Sequence, residues 1–183
     1  MGIAFVKTLH CVQIRFAVSS DCQAIAELHV ASWRHAYRGA LSDEFLAGDI
    51  VSDRNALWES RFSRPQPNQC VIVAEDDNQL AGFACAYVDD DAQWGSLLDN
   101  IHVKQSNHRA GVGTALLRAV TAHCAAVSPQ SGLYLWVLQS NVVAQKFYLR
   151  HGASNVGVDI WSAPGGTKVP RYRFAWPAIR LRR

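Results

Sequence analysis

Apolar and polar positions alternate with period two along "CVQIRFAV" and give way to "SSD", which predicts a first strand and a turn. Ser20 followed by Gln23 has the form of a capping box, and Ile25, Leu28, Ala31 and Trp33 then recur at helical spacing until Gly39, where the helix should break. A second helical region is predicted over "LSDEFLAG" and "SDRNALWESRF", with Ser52 as a cap and Leu57, Trp58, Arg61 and Phe62 at helical spacing; "SRPQPNQ" stops it. "CVIVAE" and "LAGFACAYV", joined by the turn formers "DDNQ", read as a hairpin, and "SLLDNIHV" as another strand. Val112, Leu116, Ala119 and Val120 form the apolar stripe of a helix ending before Pro129. "LYLWVL" is apolar on both faces, as a central strand is, and a short helix from Val142 to Arg150 follows, with Gly152 as its left-handed stop. "SNVGVDIW" and "VPRYRFAW" around "SAPGGTK" read as a closing hairpin. The order of strand, two helices, three strands, helix, strand, helix and two strands predicts a mixed α/β layer.

Composition adds little to that pattern but excludes several classes. A chain of 183 residues, 49% hydrophobic and 18% charged, fits a single domain over 1–183, with a core from about 12 to 176 and a short basic tail, "AIRLRR". A net charge of +3, scattered along the chain, gives no nucleic-acid footprint. Cys11, Cys22, Cys70, Cys85 and Cys124 make an odd count without metal-ligand spacing, so reduced thiols and no metal are expected. "MGIAFVKTLHC" lacks the length, basic flank and cleavage site of a signal peptide, and no run reaches membrane-spanning length; a cytoplasmic protein with no membrane partner is the expectation.

The candidate chemistry begins at "DNIHVKQSNHRAGVGTALL", a strand, a glycine turn and a helix start. A dinucleotide fingerprint would need a third glycine where Leu116 stands, and an acidic residue about twenty positions on, where "LYLWVLQ" lies. A triphosphate loop would need lysine after Gly113, where Thr114 stands. What remains is an anion held by backbone amides at a helix start, with His108 and Arg109 beside it, or a plain turn; this stretch alone leaves both open.

A second motif decides between them. "NVVAQKFYLRHGA" places Asn141, Ala144, Phe147 and Tyr148 on a short helix directly after "LYLWVLQ". Together the two stretches resemble the GCN5-related N-acetyltransferase (GNAT) superfamily in its general bacterial form, from about Val12 to Trp176. "HRAGVG" matches its R/Q-x-x-G-x-G turn, and "NVVAQKFYLRHG" its N-x-x-A-x-x-F-Y-x-x-x-G helix; "WRHAYRG" is similar to a further family segment, W-x-x-x-Y-x-G. The one departure is His108, where Arg or Gln is usual, which would make cofactor binding weaker or pH-dependent unless Arg109 compensates.

The resemblance implies a GNAT-like fold: a single α/β domain whose mixed, mainly antiparallel sheet is flanked by helices. It implies acetyl-CoA as co-substrate, in a cleft where the fourth and fifth strands splay. The backbone of Ile101, His102 and Val103 would hold the pantetheine arm, and the amides of Arg109, Ala110, Gly111, Val112, Gly113 and Thr114 the pyrophosphate. Asn141, Ala144 and Phe147 would form the other wall. A small-molecule or peptide amine would attack the thioester directly, without a protein nucleophile. Tyr148 occupies the family position of the acid that protonates the departing thiolate, whose pKa should be about 8.5 as for cysteine. The base is less determined. Many relatives carry Glu on the fourth strand where Leu97 stands here; by strand alternation Asp99 shares the face of Leu97 and is the candidate base, with a structural carboxylate as the alternative, while His102 faces the other way as a relay or a packed ring. Trp33, His35 and Tyr37 would lie over the acceptor mouth, opposite Trp161 and Tyr172, and substrate contact is assigned to Trp33 and Tyr37. A homodimer is left open, and the rival function is a non-catalytic acyl-CoA-binding sensor.

Overall fold

The computed structural model describes residues 12–176; Cys11, the first apolar run and the basic tail lie outside the described residues. The chain builds β1 (Gln13–Phe16), α1 (Cys22–Ala36), α2 (Ile50–Ser63), β2 (Gln69–Asp76), β3 (Gln79–Asp91), β4 (Gly95–Val103), α3 (Val112–Val127), β5 (Leu133–Leu138), α4 (Val142–Arg150), β6 (Ser154–Ser162) and β7 (Lys168–Trp176). One seven-stranded sheet runs β1-β2-β3-β4-β5-β7-β6, and every neighbouring pair is antiparallel except β4 with β5. The mixed, mainly antiparallel α/β architecture expected from the sequence is what forms. No described helix is long and apolar enough to cross a membrane.

The two faces of the sheet carry separate cores. Ala84, Ala86, Leu98, Leu135 and Val137 face α3, whose Val112, Leu116, Leu117 and Val120 are fully enclosed, together with Tyr148 of α4. Val71, Val73, Phe83, Cys85 and Tyr87 face α1 and α2 and meet Ile25, Leu28 and Trp58. Gly82 sets how closely α3 approaches: a Cβ there would stand 2.8 Å from the His102 carbonyl and 3.0 Å from a Leu116 methyl carbon. The β2–β3 turn is Asp77-Asn78, both at positive φ (49° and 59°), the type I′ geometry whose twist suits a hairpin.

Helix starts differ from the sequence reading. Asp21, and not a Ser20–Gln23 box, organises the entry to α1: its carboxylate accepts from the Val18 amide at 2.7 Å and pairs with Arg15, also at 2.7 Å. The carboxylate adds an ion pair to the amide bond, which a neutral serine hydroxyl cannot. Ser52 sits inside α2, donating back to the Asp49 carbonyl, because a π-helical turn over Phe45–Asp49 leads straight into the helix and leaves no N-terminus at Ser52 to cap.

Candidate active site

The glycine turn forms a nest of unspent amides. Arg109 (φ 64°) and Gly111 (φ 84°) are both left-handed, which swings successive N–H groups toward a common concavity just ahead of α3. Ala110 donates to Asn107, and Ala115 begins the helical ladder on Gly111. The amides of Arg109, Gly111, Val112, Gly113 and Thr114 have no hydrogen-bond acceptor among the described residues. Of the expected cradle, Ala110 alone is spent. A Cβ on Gly113 would stand 3.6 Å from Phe147 and 3.7 Å from Val103, so its absence widens the gap between those side chains. Five free donors at a helix N-terminus fit a pyrophosphate.

The nest opens onto a free strand edge. β4 and β5 pair only at Ser96–Leu133 and Leu97–Tyr134 and then part, so the splay expected between the fourth and fifth strands is present. Lys104 donates to Ala81 on the β3 side; by alternation the amides of Ile101 and Val103 turn to the open side. His108 is fastened to that edge, its Nε2 3.0 Å from the Val103 carbonyl oxygen.

A β-bulge overturns part of the sequence reading of β4. Cys85 faces Asn100 and Ala86 faces Leu98, leaving Asp99 as the extra residue. Alternation restarts there, so Asn100 and His102 share the α1/α2 face with Leu97. His102 does not face the opposite side, as the unbroken period implied. It packs instead against the buried His29 ring, centroids 4.7 Å apart, and against Phe83 at 5.3 Å. Burial, then Arg54, push the His102 pKa down to about 4, and burial holds His29 well below its ordinary value. Both rings are neutral at physiological pH.

Beside the bulge lies a cleft of about 260 Å³, lined by Trp33 and Tyr37 of α1, Arg54 and Arg61 of α2, Leu97 to Asn100 of β4, Trp136, Trp161 and Arg171. Trp33 and Tyr37, the predicted substrate residues, stack at 4.6 Å, and Trp161 meets Trp33 edge-on at 5.9 Å. Arg61 clamps the bulge, its Nη2 2.6 Å from Asp99 Oδ2 and its Nη1 2.7 Å from Asn100 Oδ1. Burial opposes the charge on Arg61, but Asp99, Cys85 and Tyr87 together outweigh it and the net shift is upward. Two expected aromatic contacts are absent. His35 is exposed and outside the lining, and Tyr172 packs on the α3/α4 face, because alternation along β7 turns Arg171, and not Tyr172, to the cleft.

α4 completes the frame from below. Asn141 Oδ1 accepts from the Ala144 amide at 3.1 Å, so its oxygen caps the helix instead of projecting as a free wall group. Ala144 and Phe147 pack on the α3-side core. Tyr148 is buried, and its hydroxyl makes no hydrogen bond among the described residues; burial, then Tyr37, push its pKa up, so the proton stays on. His151, which the sequence reading passed over, ties the two motifs together: Nδ1 lies 2.8 Å from the Phe147 carbonyl, and Thr114 Oγ1 lies 3.1 Å from Nε2. Arg54, Arg61, Trp136 and Arg171 were equally unsignalled. Among the described residues, no group of His, Cys, Asp or Glu is placed to hold a metal ion.

A nest of free amides beside a splayed β4–β5 edge is an arrangement suited to a phosphate-bearing ligand. The sequence model of the acetyltransferase (GNAT) family matches residues 22–153. The uncharacterized N-acetyltransferase YuaI of Bacillus subtilis is 27% identical over 171 residues, 92% of this chain and 94% of its own. The uncharacterized N-acetyltransferase MJ1530 of Methanocaldococcus jannaschii is 33% identical over 140 residues, 76% of each chain. Among solved structures, the PaiA N-acetyltransferase of Thermoplasma acidophilum in complex with coenzyme A superposes with a TM-score of 0.65 at 19% identity, over 88% of this chain and 98% of that one. The chain belongs to the GNAT family.

Proposed function

We propose that the protein transfers an acetyl group from acetyl-CoA to an amine by direct attack in a ternary complex. The observation that carries this reading is the row of five unspent amides from Arg109 to Thr114, next to a strand edge whose Ile101 and Val103 amides are also open. The coenzyme A bound by the structurally similar PaiA enzyme supports it. Acetyl-CoA supplies an activated thioester; the chain supplies position and proton traffic. The nest grips the pyrophosphate end, His108 braces the β4 edge beside it through the Val103 carbonyl, and that edge directs the arm toward the cleft. Asp99, with Oδ2 held by Arg61, takes the proton from the amine as nitrogen forms its bond to the acetyl carbon. Tyr148 gives its phenolic proton to sulfur as the carbon–sulfur bond breaks, and solvent restores both groups. Because the phenol stays protonated, the donor is ready at neutral pH. A screen of amines for release of free CoA tests the reading: at least one amine should accelerate release by more than about tenfold over buffer, and uniform rates across a broad panel would overturn it.

A further inference from the structure

The cleft contains three cations against one anion: Arg54, Arg61 and Arg171 against Asp99. Arg61 is spent, both Nη atoms being engaged by the bulge. The other two arginines are built alike although they come from α2 and β7. Each points Nε and Nη2 at one oxygen of a neighbouring carboxylate, Asp53 for Arg54 and Asp159 for Arg171. Each guanidinium carbon lies over an indole, Trp33 at 4.2 Å and Trp136 at 4.1 Å. Each keeps Nη1 without a hydrogen-bond partner among the described residues. The pairing carboxylates are 34% and 44% exposed and water-screened, whereas the Arg54 side chain is only 9% exposed. No negative group inside the cleft answers these two charges, because Asp99 is committed to Arg61 and the adjacent His29 and His102 are neutral.

A guanidinium fixed on an aromatic face with a free N–H edge is suited to an oxyanion, and two such donors offer nothing to an acceptor's second ammonium. The volume of about 260 Å³ is near the lower end of small-ligand sites, about 300 Å³. We propose that the acceptor is a small amine carrying its own carboxylate, an amino-acid-like molecule whose acid group is held by Arg54 and Arg171 while its amine faces Asp99. This rests on the acetyl-transfer reading above and narrows it to a substrate class.

The test is calorimetric titration of the CoA-loaded protein with L-alanine, L-methionine, L-phenylalanine and L-glutamate, each beside its α-carboxamide, and with a diamine. At least one acid should bind about tenfold or more tightly than its amide. Arg171→Gln and Arg54→Gln should each erase most of that preference, and Arg171→Lys should retain part of it. Amides or the diamine binding as tightly as the acids, a preference that survives both substitutions, or no binding by any acid at millimolar concentration would overturn the proposal. Should Arg54→Gln fail to fold, the wild-type comparison and the more exposed Arg171 decide. Arginine-dependent acid binding without acetylation of any amine would sink acetyl transfer and leave this site standing. Transfer to amines without a carboxylate, unchanged by Arg171→Gln, would do the reverse.

Discussion

Arg61 Nη2 lies 2.6 Å from Asp99 Oδ2, a helix side chain clamping the bulge residue of β4. The clamp leaves the second carboxylate oxygen of Asp99 unbound and fixes it at the cleft, where the proposed acetyl transfer would have an incoming amine lose its proton. Asp99→Asn preserves an oxygen for Arg61 but cannot accept that proton. Acetylation of amines with pKa about 10.4, which are neutral in about one molecule in 2,500 at pH 7, should fall at least about tenfold. Amines near 7.8, neutral in about one in seven, should lose much less. Equal losses in a steady-state comparison would make Asp99 structural.

Tyr148→Phe removes only the hydroxyl from a ring already packed against Phe174 and Trp176. Thermal stability and acetyl-CoA affinity should be nearly unchanged, while kcat drops by about tenfold or more, the usual scale for a lost general acid. A kcat equal to wild type would place the acid elsewhere.

Gly111 and Gly113 separate strain from access. Gly111→Ala meets no atom within 4 Å but forces alanine to a φ of 84°, at a cost of about 1 kcal/mol in stability. Gly113→Ala sits in the first turn of α3, with contacts of 3.6 Å and 3.7 Å that are ordinary, so stability should hold. Both should weaken acetyl-CoA binding, the first by turning the nest amides and the second by narrowing the approach between Val103 and Phe147. Denaturant midpoints and calorimetry distinguish the two; an alanine at Gly111 that leaves affinity intact would remove the nest from the account.

The packing of half-buried His102 on buried His29 predicts acid sensitivity. The folded pKa of His102, about 4, lies below its ordinary 6.5, so unfolding takes up a proton between those values. Its contribution is fully present above pH 6.5 and lost as pH falls, by about 1.4 kcal/mol per pH unit per histidine. Asp21 and Glu75, held below their ordinary range by Arg15, act at lower pH still. Urea midpoints at pH 7 and pH 5 should differ clearly for wild type and less for His102→Gln. Parallel pH profiles would refute the assignment.

The strands and helices were legible because their apolar spacing is regular; the glycine turn alone left an anion site and a plain turn both open, since two glycines mark a turn but not what it holds, and only the second motif decided between them. The bulge at Asp99 was not legible: alternation carries no mark for an unpaired residue, and so His102 was assigned to the wrong face. The entry to α1 was misread because Asp21 works through Arg15, whose place beside it depends on sheet pairing. Arg54, Arg61 and Arg171 were invisible for a related reason. Along the chain Arg61 is one position of a helix pattern and Arg54 and Arg171 carry no motif, and only the packing of α2 over the splayed sheet brings them to one cleft. His151 stands inside a recognised motif, yet its bridge from Phe147 to Thr114 depends on how α4 meets α3.

The central claim is that the amides from Arg109 to Thr114 hold the pyrophosphate of acetyl-CoA, and thermal denaturation in the presence of ligands tests it most directly. Acetyl-CoA should raise the melting temperature in a concentration-dependent way; S-acetylpantetheine, which lacks the pyrophosphate, should raise it far less, and NAD and ATP, which carry linked phosphates but no pantetheine arm for the β4 edge, should also raise it less than acetyl-CoA. No shift with acetyl-CoA up to millimolar concentration, or an equal shift with S-acetylpantetheine, would contradict the account.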